Sequence, residues 1–348
     1  MKYLKRLLLA VAVLTICALP CENASEIAVP AAAQAERRVV PSGKSIGVTL
    51  STDGVMVVSV TELESRGSMK SPAKDAGIKS GDLIKNFNGS EISGVDELNE
   101  AVSETNGARA AVTVMRGDRA VETLITPVKA DEDGEYRIGA WVKDAASGIG
   151  TMTFYDAEKG TFAALGHGIC DPKGGGVIAI DSGTILSSEI VSVQKGERGV
   201  PGELKGVFSE ERSVLGSIVQ NNGCGIYGKI GGDFPVGGES MPVAAKSEVH
   251  TGKAYILASV EGKTVEKFDA EIVRVMTQAS PNPKSMVVRI IDPKLIEKTG
   301  GIVQGMSGCP IIQDEKLIGA ITHVFVNDPT RGYAIFAEWM LDYSDSAA

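Results

Sequence analysis

Ser307 lies between two glycines in the segment Gly305-Met306-Ser307-Gly308-Cys309-Pro310, which two short apolar runs follow. A glycine backbone carries no Cβ, so it can turn tightly enough to aim the amides of Gly305 and Ser307 at one point. Two such donors can stabilise the oxyanion of a tetrahedral intermediate. The pattern indicates a serine nucleophile on the rim of a β-barrel, although a plain hairpin turn explains six such residues about as well.

A second candidate group is His167, which follows a predicted strand in the segment Leu165-Gly166-His167-Gly168. The glycines leave the imidazole accessible, and histidine precedes serine in the chain, as it does in trypsin-like enzymes. We therefore predict that His167 is a general base; the alternative is a histidine held in the core or in a loop. His323 could line the pocket for a substrate side chain or pack within its strand, and His250 is expected at the surface.

Composition limits the chemistry. The 348 residues carry a formal charge of −9 and no basic block, so nucleic acid is not an expected partner. The chain has three histidines, and its five cysteines contain no Cys-x-x-Cys pair of the kind that zinc sites use. We expect no metal and no cofactor.

The sequence pattern also predicts the elements that must position these groups. Many short Val, Ile and Thr runs are separated by Gly, Asp or Asn, and only 5% of the residues are aromatic. This pattern is typical of short strands, so the fold is expected to be mainly β. The length and the 43% hydrophobic content suffice for two or three domains.

Residues 1–24 have the layout of a secretory signal. Lys2, Lys5 and Arg6 precede an apolar run that ends at Leu19 and is short for a membrane span. We expect export, with this segment either cleaved as a signal peptide or kept as a membrane anchor. Residues 25–44 are rich in Ala, Pro and Ser without a period, and they are predicted to form a linker.

Residues 45–129 resemble a PDZ domain of the type attached to secreted bacterial proteases. The resemblance rests on the apolar run 54–60, on Pro72 and Gly77 at the two ends of a short helix, and on the Gly81-Asp82 turn. An amphipathic helix over 95–102 and a hairpin turning at 117–118 complete the pattern.

This resemblance implies that a peptide adds as an extra strand while the amides of an X-Φ-Gly-Φ loop receive its terminal carboxylate. The loop would consist of Ser45, Ile46, Gly47 and Val48. The alternative is a PDZ-shaped domain that only packs against its neighbour.

A polar break at 131–135 marks the predicted start of a second domain, over 130–348. Its first two predicted strands lead to His167, in the order that opens trypsin-like proteases. Further short apolar runs, such as 184–186, 189–193, 254–257 and 285–291, fit the strands of two packed barrels.

The segments 164–169, 208–212, 265–269, 300–308 and 322–330 resemble the stage IV sporulation signalling serine peptidases of spore-forming bacteria. The resemblance covers nearly the whole chain after the leader, including the order of PDZ domain first and peptidase second. It implies a trypsin-like serine endopeptidase exported into the space between forespore and mother cell. There it would cleave a membrane-associated regulatory protein and so lead to activation of a late sigma factor.

The same resemblance implies a catalytic triad of His167, Asp292 and Ser307. A carboxylate is expected on chemical grounds, because it fixes the imidazole tautomer and stabilises the imidazolium. From the residues alone Asp292 could instead cap a short helix that starts at Pro293. Other aspartates also remain alternatives: Asp171, Asp181 and Asp269.

Cys309 stands where the family pattern usually has a serine, and we interpret it as a packing substitution rather than a nucleophile.

Two other functions remain open at this point. One is a PDZ adaptor whose barrels have lost catalysis, although no damage to the catalytic residues is visible. The other is an envelope quality-control protease of broad specificity.

Overall fold

The computed structural model describes residues 37–348 except 118, 171–175, 179, 209–213 and 233. The predicted signal segment and residues 25–36 of the predicted linker lie outside the described residues. The strands of the described part are β1 (Arg38–Pro41), β2 (Ser45–Val60), β3 (Leu63–Ser65), β4 (Ser68–Lys70), β5 (Leu83–Phe87), β6 (Ser90–Glu91), β7 (Ala110–Arg116), β8 (Arg119–Ile125), β9 (Val128–Lys129), β10 (Tyr136–Arg137), β11 (Ala140–Asp156), β12 (Thr161–Ala164), β13 (Ile180–Gln194), β14 (Glu203–Phe208), β15 (Val214–Asn222), β16 (Gly225–Ile230), β17 (Met241–Pro242), β18 (Gly252–Glu261), β19 (Thr264–Val275), β20 (Met286–Ile290), β21 (Pro310–Gln313), β22 (Lys316–Phe325) and β23 (Asp328–Phe336). The helices are α1 (Pro72–Asp75), α2 (Val95–Glu104), α3 (Pro293–Thr299) and α4 (Ala337–Ser346).

The first barrel is closed by six strands. β2, β11, β12, β16, β15 and β13 pair in this order, and β13 pairs back to β2. Ile46, Val48 and Leu50 are buried in its core, at every second position of β2. This alternation follows from the period of two along a strand.

The second barrel closes in the order β18, β19, β20, β23, β22, β21. It contains most of the largest apolar cluster, which includes Phe268, Ile311 and Ile321. Helix α4 packs against β22 of this barrel and β12 of the first, so it lies across both. The prediction of a mainly β, trypsin-like double barrel is confirmed.

The PDZ domain has a core of its own around α2. Pro72 opens the short helix α1, and Gly77, at φ +76°, follows its end, as the sequence predicted. The far half of β2 pairs with β5, which pairs with β7, and β7 forms the predicted hairpin with β8. The α+β domain expected at this position is therefore present.

Two long strands belong to both the PDZ domain and the first barrel. Within β2, Ser45 to Ser51 pair with barrel strands, whereas Val55 and Met56 pair with β5 of the PDZ domain. Strand β11 starts beside the PDZ half of β2, with Ala140 opposite Val60, and ends in the barrel. The PDZ domain is therefore inserted into the first barrel between two of its strands.

This insertion corrects two predicted boundaries. The peptidase fold does not start at residue 130, because the first half of β2 closes its first barrel. The linker does not extend to residue 44 either, since β1 pairs with β11 and β17. The residue types of a segment indicate that it is extended. The domain to which it belongs depends on the strands it pairs with, and these lie far away in the sequence.

Helices of the described residues are short: none has both the length and the apolar content that crossing a bilayer requires.

The shared strands predict how the chain tolerates truncation. A chain that starts at residue 130 lacks β2, so we expect its first barrel to stay open and the protein to aggregate or remain unfolded. A chain in which an Asn-Gly turn joins residues 37–52 to 144–348 keeps the barrel strands and a favourable two-residue hairpin connection, and we expect it to fold. Circular dichroism and thermal melting compare the two. A cooperative melt of the chain starting at 130 would contradict the shared-strand fold.

Candidate active site

Ser307 and His167 line one cleft of about 790 Å³, although 140 positions separate them in the chain. Gly168, Gly305, Thr322 and His323 line the same cleft. The structure therefore brings together the predicted nucleophile and the predicted general base.

The nucleophile turn, residues 305–308, requires its glycines. Gly305 and Gly308 have φ of +94° and +96°, which L residues with side chains rarely adopt. A Cβ on Gly308 would also lie 2.0 Å from the carbonyl oxygen of Thr151. The turn can pack this closely against β11 only because residue 308 has no side chain.

Two threonines of β11 hold this turn in place. Thr151 donates from its amide to the Ser307 carbonyl (3.0 Å) and from Oγ1 to the Gly305 carbonyl (2.8 Å). Thr153 Oγ1 donates to the Gly308 carbonyl at 2.8 Å. Both threonines are buried. Sequence reasoning missed them, because no local pattern tells which strand faces the turn.

The predicted oxyanion donors are unengaged. Neighbouring amides are used within the fold: Met306 donates to the Val303 carbonyl and Gly308 to the Ile321 carbonyl. Among the described residues, by contrast, no acceptor takes a hydrogen bond from the amides of Gly305 and Ser307. Both amides are therefore free to donate to an oxyanion, and that they do so stays a prediction.

The Ser307 hydroxyl donates to the carbonyl oxygen of Thr322 at 2.9 Å. This bond points the hydroxyl hydrogen at β22. The hydroxyl must leave this acceptor before Ser307 can donate to His167, and catalytic hydrogen bonds are often poorly aligned before substrate binds.

His167 follows a tight turn in which Leu165 and Gly166 both have positive φ, +68° and +69°. Its Nδ1 lies 2.9 Å from the carbonyl oxygen of Gly168. Because a carbonyl oxygen only accepts, Nδ1 carries the proton and Nε2 keeps its lone pair, which is the tautomer of a general base. Asn221 fixes the chain just beyond, accepting from the Ile169 amide and donating to its carbonyl.

Burial lowers the pKa of His167 below its usual value near 6.5, and the hydrogen bond to Gly168 offsets this only in part. A lowered pKa means that the imidazole is neutral at neutral pH, because an apolar surrounding penalises the charged form. His167 is therefore ready to accept a proton.

His323 lies beside His167, with ring centroids 4.9 Å apart and planes inclined by 37°. Burial, then the charges of His167 and Lys284, lower the pKa of His323 to about 4. It lines the cleft from β22 as an uncharged ring, in a position to contact a substrate side chain. His250 is exposed and pairs with Asp314 at 2.8 Å, away from the lining of the cleft.

Asp292 does not occupy the position that the triad prediction gave it. Its Oδ1 accepts the amides of Lys294 and Leu295, at 2.9 and 3.2 Å, as the N-cap of α3, and Oδ2 accepts the Asp269 amide. No hydrogen bond among the described residues joins Asp292 to His167. Asp292 is therefore a helix cap, as the alternative prediction had it. The Nδ1 atom of His167 is hydrogen-bonded to the carbonyl of Gly168 instead.

The other aspartates considered add no carboxylate to the described cleft. Asp269 is exposed on β19 and outside the cleft lining. Asp171 and the side chain of Asp181 lie outside the described residues.

The predicted carboxylate-binding loop of the PDZ domain is also wrong. Ser45, Ile46, Gly47 and Val48 lie in β2, where β11 pairs with one edge and β13 with the other. A strand paired on both edges has no amides left for a peptide, and Ile46 and Val48 are buried in the barrel core. The X-Φ-Gly-Φ pattern here is a barrel strand with alternating apolar residues.

Cys309 is fully buried, and burial raises the pKa of its thiol to about 12. Its Sγ lies 3.6 Å from Thr151 Oγ1. A thiol without access to the cleft, and without a tendency to ionise, is not a nucleophile; it fills space beneath the nucleophile turn. In the part of the chain described here, no group of three His, Cys, Asp or Glu side chains could hold a metal ion.

A double β-barrel whose cleft presents a glycine-framed serine and a neutral histidine defines a trypsin-like serine peptidase. The model of the SpoIVB peptidase S55 family matches residues 134–341, more than half of the chain, and a PDZ domain model matches residues 45–126. The chain belongs to the SpoIVB peptidase S55 family. It is a serine peptidase with a PDZ domain, as the sequence resemblance implied.

Solved structures similar to the chain include two proteases and one PDZ domain. The Rv3671c protease from M. tuberculosis, active form, is 14% identical over 58% of this chain and 74% of that chain (TM-score 0.33). The HtrA-type protease AlgW with a tripeptide is 16% identical over 57% of this chain and 56% of that chain (TM-score 0.34). The PDZ domain of an SdrC-like protein from Listeria monocytogenes is 24% identical over 27% of this chain and 90% of that chain (TM-score 0.22).

The position of Asp292 predicts separate effects on stability and catalysis. Asp292→Ala removes the cap of α3 and should lower the free energy of unfolding by about 1 kcal/mol, or the Tm by roughly 2–4 °C, while kcat/KM is retained. Asp292→Asn keeps an acceptor for the helix amides and should retain both. His167→Gln is the control, with an expected loss of about 10³-fold or more in kcat/KM. A comparable loss in Asp292→Asn at unchanged Tm would restore the triad assignment.

Proposed function

We propose that this chain is an exported serine endopeptidase that cleaves a membrane-associated regulatory protein in intercompartmental signalling during sporulation, upstream of late sigma factor activation. The observation that carries the proposal is the presence of Ser307 and His167 in the lining of one cleft of a SpoIVB-family peptidase. The signal-like sequence of residues 1–24 supports export. The PDZ domain supports a protein or peptide as substrate.

In the proposed reaction Ser307 rotates away from the Thr322 carbonyl and donates to Nε2 of His167. As its oxygen attacks the peptide carbonyl, His167 takes the proton, and the free amides of Gly305 and Ser307 bind the oxyanion. The imidazolium then protonates the leaving amine, and water, deprotonated by His167, frees the acyl group. The Gly168 carbonyl holds the Nδ1 proton throughout and so keeps the ring oriented.

The low pKa of His167 predicts the acidic limb of the pH profile. Protonation removes the lone pair that accepts the Ser307 proton, and burial shifts that protonation below pH 6.5. The kcat/KM for a fluorogenic peptide should therefore stay constant on going from pH 8 to 7 and fall with a midpoint below 6.5, since this parameter reports the free enzyme. A midpoint above 7 would show that His167 is stabilised as a cation, which contradicts the geometry described.

The nucleophile assignment predicts the behaviour of Ser307→Ala. This change removes one hydrogen bond, to Thr322, at a cost of about 1 kcal/mol, so the protein should fold but neither hydrolyse peptides nor react with a fluorophosphonate. Ser147→Ala, at an exposed position of β11 that lines the same cleft, is the matched control and should keep both activities. Cleavage retained by Ser307→Ala would end the peptidase mechanism.

Substrate breadth tests the signalling part of the proposal. Purified protein is incubated with casein and, separately, with the extracytoplasmic parts of membrane proteins from a sporulating cell. Cleavage of one membrane-protein fragment at a single site, with casein intact, supports a signalling enzyme. Rapid digestion of casein would favour the quality-control alternative, and reaction with neither the substrates nor the fluorophosphonate would favour an inactive adaptor.

A further inference from the structure

The amide of Gly305, one of the two predicted oxyanion donors, is oriented by the carbonyl at the other end of its peptide bond. That carbonyl belongs to Gln304, and it accepts a hydrogen bond from the amide of Leu204 at 2.8 Å. The peptide bond is trans, so its C=O and its N–H point in opposite directions. The Gly305 amide is therefore turned away from Leu204 and β14, and Gly305 lines the cleft together with Ser307.

The other predicted donor is oriented within its own turn. The carbonyl of Met306, which precedes the Ser307 amide, accepts a hydrogen bond from the amide of Cys309 at 3.0 Å. This bond joins residues three positions apart, so it forms together with the turn. The Gly305 amide instead depends on Leu204 of β14, a strand that pairs with β13 of the first barrel. Only a contact between distant segments sets its direction.

A glycine at position 305 makes the opposite orientation accessible. Gly305 has φ +94°, and glycine adopts negative φ about as readily as positive φ. Residue 305 itself thus offers little resistance to a half-turn of the peptide plane that it shares with Gln304. Such a turn would place the Gln304 carbonyl oxygen where the Gly305 N–H was, and an acceptor repels an oxyanion. The hydrogen bond that holds this carbonyl against β14 therefore keeps the donor available.

The residues that make this bond are themselves fixed. The Leu204 side chain is 2% exposed and belongs to the largest apolar cluster. The carbonyl of Gly202 accepts the Gln304 amide at 2.8 Å, so two bonds hold residue 304 in a short parallel bridge. Gly202 in turn packs on Gly196, whose amide donates to the Thr299 carbonyl at 2.8 Å. The start of β14 is thus a rigid support for the segment that precedes the nucleophile turn.

The Leu204 amide is not used within its own sheet. Leu204 lies opposite Val193 in the antiparallel pair of β14 and β13. Because its amide donates to Gln304 on the other side, Leu204 and Val193 form a pair without mutual hydrogen bonds. Removing this N–H consequently leaves the hydrogen bonds between β13 and β14 in place, which makes its effect on the cleft measurable by itself.

We propose that the Leu204 amide is a positioning group of the peptidase: by holding the Gln304 carbonyl, it keeps the Gly305 N–H directed at the place where the oxyanion forms. Without this bond the peptide plane turns, and the transition state loses one donor. Substrate binding is preserved, because the oxyanion does not exist in the ground state. The catalytic part rests on the proposed reaction, in which Gly305 binds the oxyanion, whereas the orientation of the peptide does not.

The role of the N–H is tested by Leu204→leucic acid in the full chain, made by cell-free synthesis with a chemically acylated suppressor tRNA. This change replaces the N–H by an ester oxygen and keeps the buried side chain. For a fluorogenic peptide, kcat should fall at least about tenfold, toward the roughly 10²–10³-fold that loss of one oxyanion donor costs, while KM stays within about twofold.

The matched control is Val207→2-hydroxyisovaleric acid, which makes the same exchange further along β14, at an exposed side chain. It should keep the kcat of the unmodified chain. An unchanged kcat in the Leu204 ester, or an equal loss in both esters, overturns the positioning role of Leu204.

An inhibitor pair separates a misdirected donor from a loosened cleft. A peptidyl trifluoromethyl ketone forms a tetrahedral adduct with Ser307 whose oxyanion requires the donors, whereas the corresponding alcohol forms no adduct. In the Leu204 ester the Ki of the ketone should rise in proportion to the loss in kcat/KM, and the Ki of the alcohol should stay unchanged. Equal weakening of both inhibitors would show a merely structural role.

Hydrogen exchange tests the orientation without activity. In the unmodified chain the Leu204 amide should exchange slowly, because it is hydrogen-bonded, and the Gly305 amide should exchange much faster. Fast exchange at Leu204 overturns the orientation whatever the activity. Slow exchange at Leu204 in a chain that neither hydrolyses peptides nor binds the ketone supports the orientation and instead ends the proposed reaction.

Discussion

The contact between β11 and the nucleophile turn is the interaction on which the rest of the site depends. Ser307 belongs to the second barrel and His167 to the first, so their relative position is only as well defined as the junction of the barrels. Thr151 and Thr153 contribute three hydrogen bonds across that junction. Both threonines are buried, and such hydrogen bonds are costly to lose because the groups left behind have little water as partner. The fold therefore fixes the turn without using the amides that the oxyanion needs.

The histidine of this site is oriented by a neutral group. The carbonyl oxygen of Gly168 accepts a hydrogen bond from Nδ1 of His167 and so orients the ring, as a carboxylate would. Unlike a carboxylate, it carries no full charge to stabilise the imidazolium. Burial lowers the pKa of His167, and the hydrogen bond to the Gly168 carbonyl offsets this only in part. The second ring, His323, is uncharged at neutral pH for the same reason of burial, and it adds no proton acceptor of high basicity. The site thus favours the neutral imidazole, the state in which His167 begins the reaction.

The insertion of the PDZ domain has a mechanical consequence. A domain attached by a flexible linker can bind without affecting its neighbour, whereas here β2 and β11 run without interruption from one core into the other. The pairing of β11 with β2 shifts register twice, between Trp141 and Val142 and between Lys143 and Ala145, and the Asp144 carboxylate accepts the amide of Val95 at the start of α2. Such irregularities change the direction and twist of a strand.

Local residue types by themselves determined a large part of this protein. Alternating apolar residues predict strands, Pro72 and Gly77 bound a helix, and the glycines around Ser307 predict a tight turn, because each depends only on near neighbours in the chain. The family resemblance added the double barrel and the prediction that His167 and Ser307 act in one site. Only the tertiary structure decided which partner each group takes: Asp292 with helix amides rather than His167, and residues 45–48 with two barrel strands rather than a peptide. Hydrogen bonds between segments far apart in sequence make these choices, and the types of the residues permit each alternative equally well.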